Sequence, residues 1–292
     1  MNDRSASAAK AVHTHEPYSG AVKTARDYYN SDDADNFYSL VWGGEDIHVG
    51  IYEHPQEKVF DASRRSVAVT AGHVPGLDAD TRVIDLGSGY GGSMRYLVRE
   101  YGCRAVGLNL SERENERGRR QTAEQGLDDR LDIVDGTYDD VPYDDAAFDL
   151  VWSQDALLHS GDRKRALEEA VRILRPGGHL VFTDPMQTDD CNTEVLQPIL
   201  DRLLLDSLGS PSFYRETLAA LGLEELTFDE RADMIATHYG RVREVLVAEE
   251  DEVGRHVSRD YIERMKRGLQ HWVDGGNNGD LTWGIFLFRK PA

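Results

Sequence analysis

The sequence predicts an α/β fold: a mostly parallel sheet with helices on both faces. Three observations predict it. Short apolar runs alternate with amphipathic stretches from Arg82 onward, the stretches end in glycine as helix stops do, and a glycine-rich loop joins the first run to the first stretch. The runs "RVIDL", "AVGLNL", "LDIV", "FDLVWS" and "HLVFTD" read as buried strands, and "DLTWGIFLFRK" as a late β-rich run that closes the sheet. Between them "GGSMRYLVREYG", "SERENERGRRQTAEQG" and "DRKRALEEAVRILRPGG" carry helical spacing.

Two regions fall outside the winding. Residues 17–75 read as a helical lid, rich in aromatic side chains, and residues 187–275 as a helical insertion before the closing segment, residues 276–292. Both are expected to lie near the carboxyl ends of the strands, where open α/β sheets take ligands, and to cover a site on the core formed by residues 76–186. Residues 1–16 read as a disordered tail.

Charge narrows the function classes. The chain has 292 residues, with 33 Lys+Arg against 53 Asp+Glu, for a net charge of −20. A surface that negative repels phosphate backbones and anionic lipid, so neither nucleic acid nor membrane is an expected partner. It suits a salt-rich cytoplasm, where screening relieves self-repulsion; a merely acidic soluble protein is the plainer reading. The two cysteines, Cys103 and Cys191, are far apart and have no ligand spacing, which points to reduced thiols and no metal. No run reaches membrane-spanning length and the first residues lack an apolar signal core, so a cytoplasmic location is expected.

The loop "VIDLGSGYGG", residues 83–92, narrows the ligand class, though dinucleotide and mononucleotide folds use similar loops. Gly87 and Gly89 let backbone approach a ligand with no Cβ in the way. The rival is a dinucleotide fingerprint, but the spacing differs and a carboxylate, Asp85, stands at the strand end, where it would repel a pyrophosphate. A positive nucleoside fits better, and S-adenosylmethionine has a sulfonium and an ammonium but no phosphate.

On "VIDLGSGYGG", "FDLVWSQDALLH" and "RILRPGGHLVFTD" the chain resembles the Rossmann-like class I methyltransferases that use S-adenosylmethionine and release S-adenosylhomocysteine. The resemblance implies a seven-stranded sheet. It places Asp85, Gly87 and Gly89 at the methionine end, Asn109 where the family has an acid on the ribose, Gly136, Thr137 and Tyr138 at the adenine, and Gln154 with Trp42 near the methyl donor. Asparagine hydrogen-bonds a ribose without charge assistance, and tighter cofactor binding by Asn109→Asp would show that the exchange costs affinity.

The acceptor is read from three places. "SQDALLHS" sets Asp155 and His159 four residues apart, expected on one side of a short helix, as a reactive pair or a plain surface contact. Tyr28, Tyr29, Phe37, Tyr38, Trp42 and Tyr52 supply either lid packing or a cage for a methylated ammonium. Similarity to the phosphoethanolamine N-methyltransferases would make Tyr29 or Tyr38 the partner of His159. A narrower resemblance rests on "YYNSDDADNFYSLVWGGEDIHVGIY", "SQDALLHSGDR", "SFYRETLAALGLEE", "THYGRVREVL" and "GLQHWVDGGNNGDLTWGIFLFRK". It is to the sarcosine/dimethylglycine N-methyltransferases of glycine betaine synthesis, over roughly residues 24–290, and it implies direct transfer to a small zwitterionic amino acid in a monomer or small homo-oligomer. The substrate carboxylate then needs a cation: Arg215, Arg241 and Arg243 are candidates or surface ion pairs, with Tyr214, His238 and Tyr239 as hydrogen-bonding or packing residues. Met186 either touches the methyl groups or sits in the core. The alternatives are a phosphoethanolamine or other small-amine methyltransferase, a sterol or tocopherol C-methyltransferase, and a silent cofactor-binding regulator.

Overall fold

Apolar runs with no polar alternation need cover on both faces, and here they receive it. In a computed structural model, which describes Arg26, residues 30–203 and residues 205–292, the runs become β1 (Arg82–Leu86), β2 (Arg104–Asn109), β3 (Leu131–Asp135), β4 (Phe148–Gln154) and β5 (Leu174–Thr183). The expected tail over residues 1–16, and Tyr28 and Tyr29, lie outside the described residues. Two further strands, β6 (Glu224–Glu230) and β7 (Gly284–Arg289), complete a seven-stranded sheet of order β3-β2-β1-β4-β5-β7-β6. The first five strands pair in parallel, whereas β7 runs antiparallel to both β5 and β6.

The last strand is therefore interior, not the edge. The edge strand β6 comes from the segment expected to hold helices alone. Its sequence, EELTFDE, is only partly buried, and an outer strand has no second covered face to demand an apolar run.

The helices obey their end signals. In α1 (Asp32–Phe37), Ser31 caps the start, and a π-helical turn follows over Tyr38–Trp42, stopped by Gly43 at φ 111°. Helix α2 (Val59–His73) and α3 (Gly92–Tyr101) come next, α3 closed by Gly102 at φ 72°. In α4 (Glu112–Glu124) the Ser111 hydroxyl accepts from Glu114 N at 3.2 Å, and in α5 (Arg163–Ile173) Asp162 accepts from Arg165 N at 3.0 Å. The inserted cover adds α6 (Gln197–Leu203), α7 (Pro211–Ala220), α8 (Asp233–Ala248) and α9 (Arg259–Asn278). Ser258 caps α9, and Gly279 ends it in the left-handed region.

One core cluster joins the sheet to the segment before it and to α8 and α9; the other lies on the opposite face with α5 and α7. The cover thus grows out of one core face and meets the sheet at the carboxyl ends of β1, β2 and β4. Among the described residues no helix is long and apolar enough to cross a membrane, and no group of three or more His, Cys, Asp or Glu is arranged to hold a metal ion.

Candidate active site

A cavity of ≈ 1220 Å³, counting its open mouth, runs from the strand ends to the inserted helices.

At the nucleoside end the loop after β1 is bare for two reasons. Gly87 and Gly89 have φ of +89° and +50°, and a Cβ on Gly87 would stand 2.3 Å from the Ala156 Cβ. Gly87 N and Ser88 N both donate to Leu108 O, which ties the loop to β2. Beneath it lies Asp85, buried and outside the cavity lining; burial, with Asp46 nearby, pushes its carboxyl well above the usual range. Burial likewise lifts Asp46 to about 6, against the pull of Arg64 2.8 Å away. Two buried carboxyls under a glycine loop form a locus for a cation.

Asn109 lines the cavity, and its Nδ2 donates to Glu114 Oε2 at 2.9 Å. Glu114 lines it too, with its carboxyl lifted to about 7 by burial and held down only in part by Asn109. A carboxylate thus lines the cavity beside the end of β2, from the first turn of α4. Ser111 and Glu114 have the spacing of a helix-start motif, and that structural reading hides the second role. Gly136, Thr137 and Tyr138 form the next wall, where Tyr138 Oη donates to Ala156 O at 3.2 Å. Asp139, not expected from sequence, joins them.

At the far end Tyr38, Trp42, Tyr239 and Trp272 present rings, with Met265 and Leu269 between them. Trp42 lies 5.3 Å from Tyr38 and 6.1 Å from Tyr239, and Tyr239 stacks on Trp272 at 4.7 Å. Gln154 Oε1 accepts from Ser93 Oγ at 2.9 Å, and Ser93 in turn lies 3.0 Å from His48 Nε2. With the serine proton given to Gln154, that ring nitrogen carries its own proton and Nδ1 keeps a lone pair. Burial, then Arg64, drives the His48 pKa down to about 3. His48 was missed because a lone histidine in a lid has no motif.

The Asp155–His159 geometry needs correction. Asp155 has φ +51° and precedes a 3₁₀ turn, Leu157–His159, so the two are not stacked on one helical face. Both line the cavity, but the Asp155 carboxylate is occupied by three donors: Val49 N at 2.6 Å, Thr183 Oγ1 at 2.7 Å and Trp283 Nε1 at 2.7 Å. Burial lifts it to about 6 despite these bonds. His159 is neutral, its pKa taken down to about 3 by burial and the charges of Arg202 and Arg163.

Other expected residues lie elsewhere. Tyr214 is buried behind the site; it donates to Asp184 at 2.6 Å, and Asp184 accepts from Leu158 N at 3.0 Å, which braces the turn carrying His159. Met186 is a core residue, paired with Thr282 in a two-stranded ribbon. His238 is fully buried outside the lining: its Nδ1 accepts from Gly50 N at 3.0 Å and its ring packs on Trp42 at 5.0 Å. Phe37 is core, and Tyr52 contacts His238. The three arginines are bound outside the cavity: Arg215 to Glu225, Arg241 to Glu57 O and Glu244, Arg243 to Lys266 O. The arginine at the aromatic end is Arg202, which no motif marked.

Comparison with known proteins fits this geometry. A family model described as a methyltransferase domain matches residues 84–182. A sarcosine/dimethylglycine N-methyltransferase of Halorhodospira halochloris is 58% identical over 270 residues, 92% of this chain and 97% of that protein. The chain belongs to the sarcosine/dimethylglycine N-methyltransferase family. A glycine/sarcosine/dimethylglycine N-methyltransferase of Actinopolyspora halophila is 54% identical over 93% of this chain, which spans 48% of that longer protein. A crystal structure from Galdieria sulphuraria, provisionally named a sarcosine dimethylglycine methyltransferase, superposes with a TM-score of 0.86 at 40% identity, covering 90% of this chain and 99% of that one. The fold is the one shared by class I S-adenosylmethionine-dependent methyltransferases, and family membership extends the likeness into both covering segments.

Proposed function

We propose that the chain is an S-adenosylmethionine-dependent N-methyltransferase that converts sarcosine to dimethylglycine and dimethylglycine to glycine betaine, in the cytoplasm of a salt-adapted cell. The observation that carries this reading is one continuous cavity which, among the described residues, has glycines and buried carboxyls at one end and four aromatic rings with a single arginine at the other.

The residues present fit the methyl donor. Asp85 and Asp46, buried behind the glycine loop, would offset the charge of its ammonium through the loop, Glu114 would accept from its ribose hydroxyls, and Asp139 would meet its adenine. The donor supplies a methyl group on a positive sulfur, open to in-line attack by an amine. The chain's part is to bind, align and exclude water. Tyr38 and Trp42 turn ring faces to the positive charge that grows on the acceptor nitrogen. Secondary and tertiary amines must present a lone pair, so a neutral hydrogen-bond acceptor that turns the N–H of the incoming amine helps, and both His159 and His48 are neutral at physiological pH. His159 is the better placed for that role, beside the cation that a carboxylate would seek. Asp155 acts through position: it locks Val49, and with it the lid, onto the strand ends.

A phosphoethanolamine acceptor would ask for several cations, whereas the aromatic end presents Arg202 alone among the described lining residues. Methyl transfer from labelled S-adenosylmethionine to glycine, sarcosine, dimethylglycine and phosphoethanolamine, at low and molar salt, tests the reading. Turnover of sarcosine and dimethylglycine is expected; turnover of phosphoethanolamine alone would move the chain to that neighbouring activity. The number of methyl groups already on nitrogen separates the amino acids by only about 1–3 kcal/mol each in an apolar pocket.

A further inference from the structure

An amino-acid acceptor carries a carboxylate into an apolar, ring-lined space, and that group must exchange its water for fixed donors. We propose that Arg202 and Trp272 hold this carboxylate, so that α6 and α9 set the preference for amino acids over plain amines; the inference rests on the N-methyltransferase reading above.

Both residues line the aromatic end of the cavity. Arg202 Nη1 lies 3.6 Å from Met265 Sδ, which fixes the guanidinium against α9. Its stem crosses that helix where there is no side chain: a Cβ on Gly268 would stand 2.4 Å from Arg202 Cδ and 2.8 Å from Nε. Trp272 follows Gly268 by four residues, one turn along the same face, so guanidinium and indole address one strip of the cavity. The indole is 1% exposed, and its Nε1–H has no acceptor among the described residues. A buried donor left unmet is costly, and a ligand oxygen would satisfy it. Stacking of Trp272 on Tyr239 holds the ring in place. The carboxylate would thus bind a planar cation on one side and an N–H on the other, with the amine turned toward Trp42 and Tyr38.

The test uses the full chain. Calorimetry measures dimethylglycine binding to protein saturated with S-adenosylhomocysteine, and kinetics give kcat and KM, with N,N-dimethylethanolamine as a competing amine that lacks the carboxylate. Arg202→Met is expected to weaken dimethylglycine binding and raise KM on the order of 100-fold. Trp272→Phe, which keeps the ring and removes the N–H, is expected to raise KM about tenfold. Inhibition by dimethylethanolamine and affinity for S-adenosylhomocysteine stay within about threefold. Gly268→Ala keeps the charge but displaces the Arg202 stem, and should move KM in the same direction; Arg241→Met should not. The proposal is overturned if Arg202→Met and Gly268→Ala bind dimethylglycine as the parent does, or if they lose dimethylethanolamine equally. Should Arg202→Met fail to fold, Gly268→Ala and Arg202→Lys decide by the same comparison. A parent protein that methylates no amino acid overturns the N-methyltransferase reading itself.

Discussion

The backbone N–H of Val49 donates to the carboxylate of Asp155 at 2.6 Å, across 106 residues of sequence. The same carboxylate accepts from Trp283 Nε1, so the segment before the sheet and the entry to β7 are fastened to one group at the end of β4. Asp155→Ala leaves three donors unmet and should destabilise the fold by about 3–5 kcal/mol. Asp155→Asn tolerates the positive φ and keeps one acceptor oxygen, so a loss nearer 1–3 kcal/mol is expected. Urea unfolding separates the two; equal stabilities would show that the carboxylate is not the fastening.

Glu114 makes cofactor affinity depend on pH. Burial lifts its carboxyl to about 7, and the ionised form is the one that would accept from the ribose hydroxyls of the proposed cofactor. Binding of S-adenosylhomocysteine should therefore tighten as pH rises through about 7 and release protons below it. Glu114→Gln should weaken binding on the order of tenfold at pH 8 and flatten the profile. Calorimetry in buffers of different ionisation enthalpy counts the protons.

Asn109→Asp should not tighten cofactor binding. An aspartate there would set a second carboxylate about 3 Å from Glu114 and replace the only hydrogen bond that lowers its pKa. Weaker binding at pH 7, recovered in part by Asn109→Asp combined with Glu114→Gln, is the expected pattern in the same titration.

His238 should give the stability curve an acid limb. Folded, it titrates near 3 because of burial and then His48, while in the unfolded chain it titrates near its ordinary value of 6.5. The unfolded state takes up the proton first, so stability is complete above about 6.5 and is lost as pH falls toward 3. His238→Gln should lower Tm at pH 8 through lost packing on Trp42, yet show a shallower fall between pH 7 and 5. An unchanged slope would assign the limb to other groups.

The parallel strands were legible because each carries a short apolar run, nearly all buried in β1 and β4, and the candidate nucleoside end because its residues sit in the loops that end those runs. β6 was not, since Glu224–Glu230 is an edge strand with exposed glutamates and no hydrophobic signature. The aromatic end was harder still. Tyr239, Arg202, Met265 and Trp272 come from three helices, and no local pattern distinguishes Arg202 from the other cations on so charged a chain. The Asp155–His159 spacing misled for a simpler reason: four residues mean one face only if the backbone is helical, and at Asp155 it turns left-handed.

The division of the cavity between two parts of the chain has a further consequence. The methyl-donor half is built from loops fixed by the sheet, while Arg202, Tyr239, Met265 and Trp272 of the proposed acceptor half hang on α6, α8 and α9. Substitutions on the inserted helices should then alter which amine is accepted with little effect on the donor. Engineering for a bulkier or differently charged amine would begin on those three helices and leave the glycine loop alone.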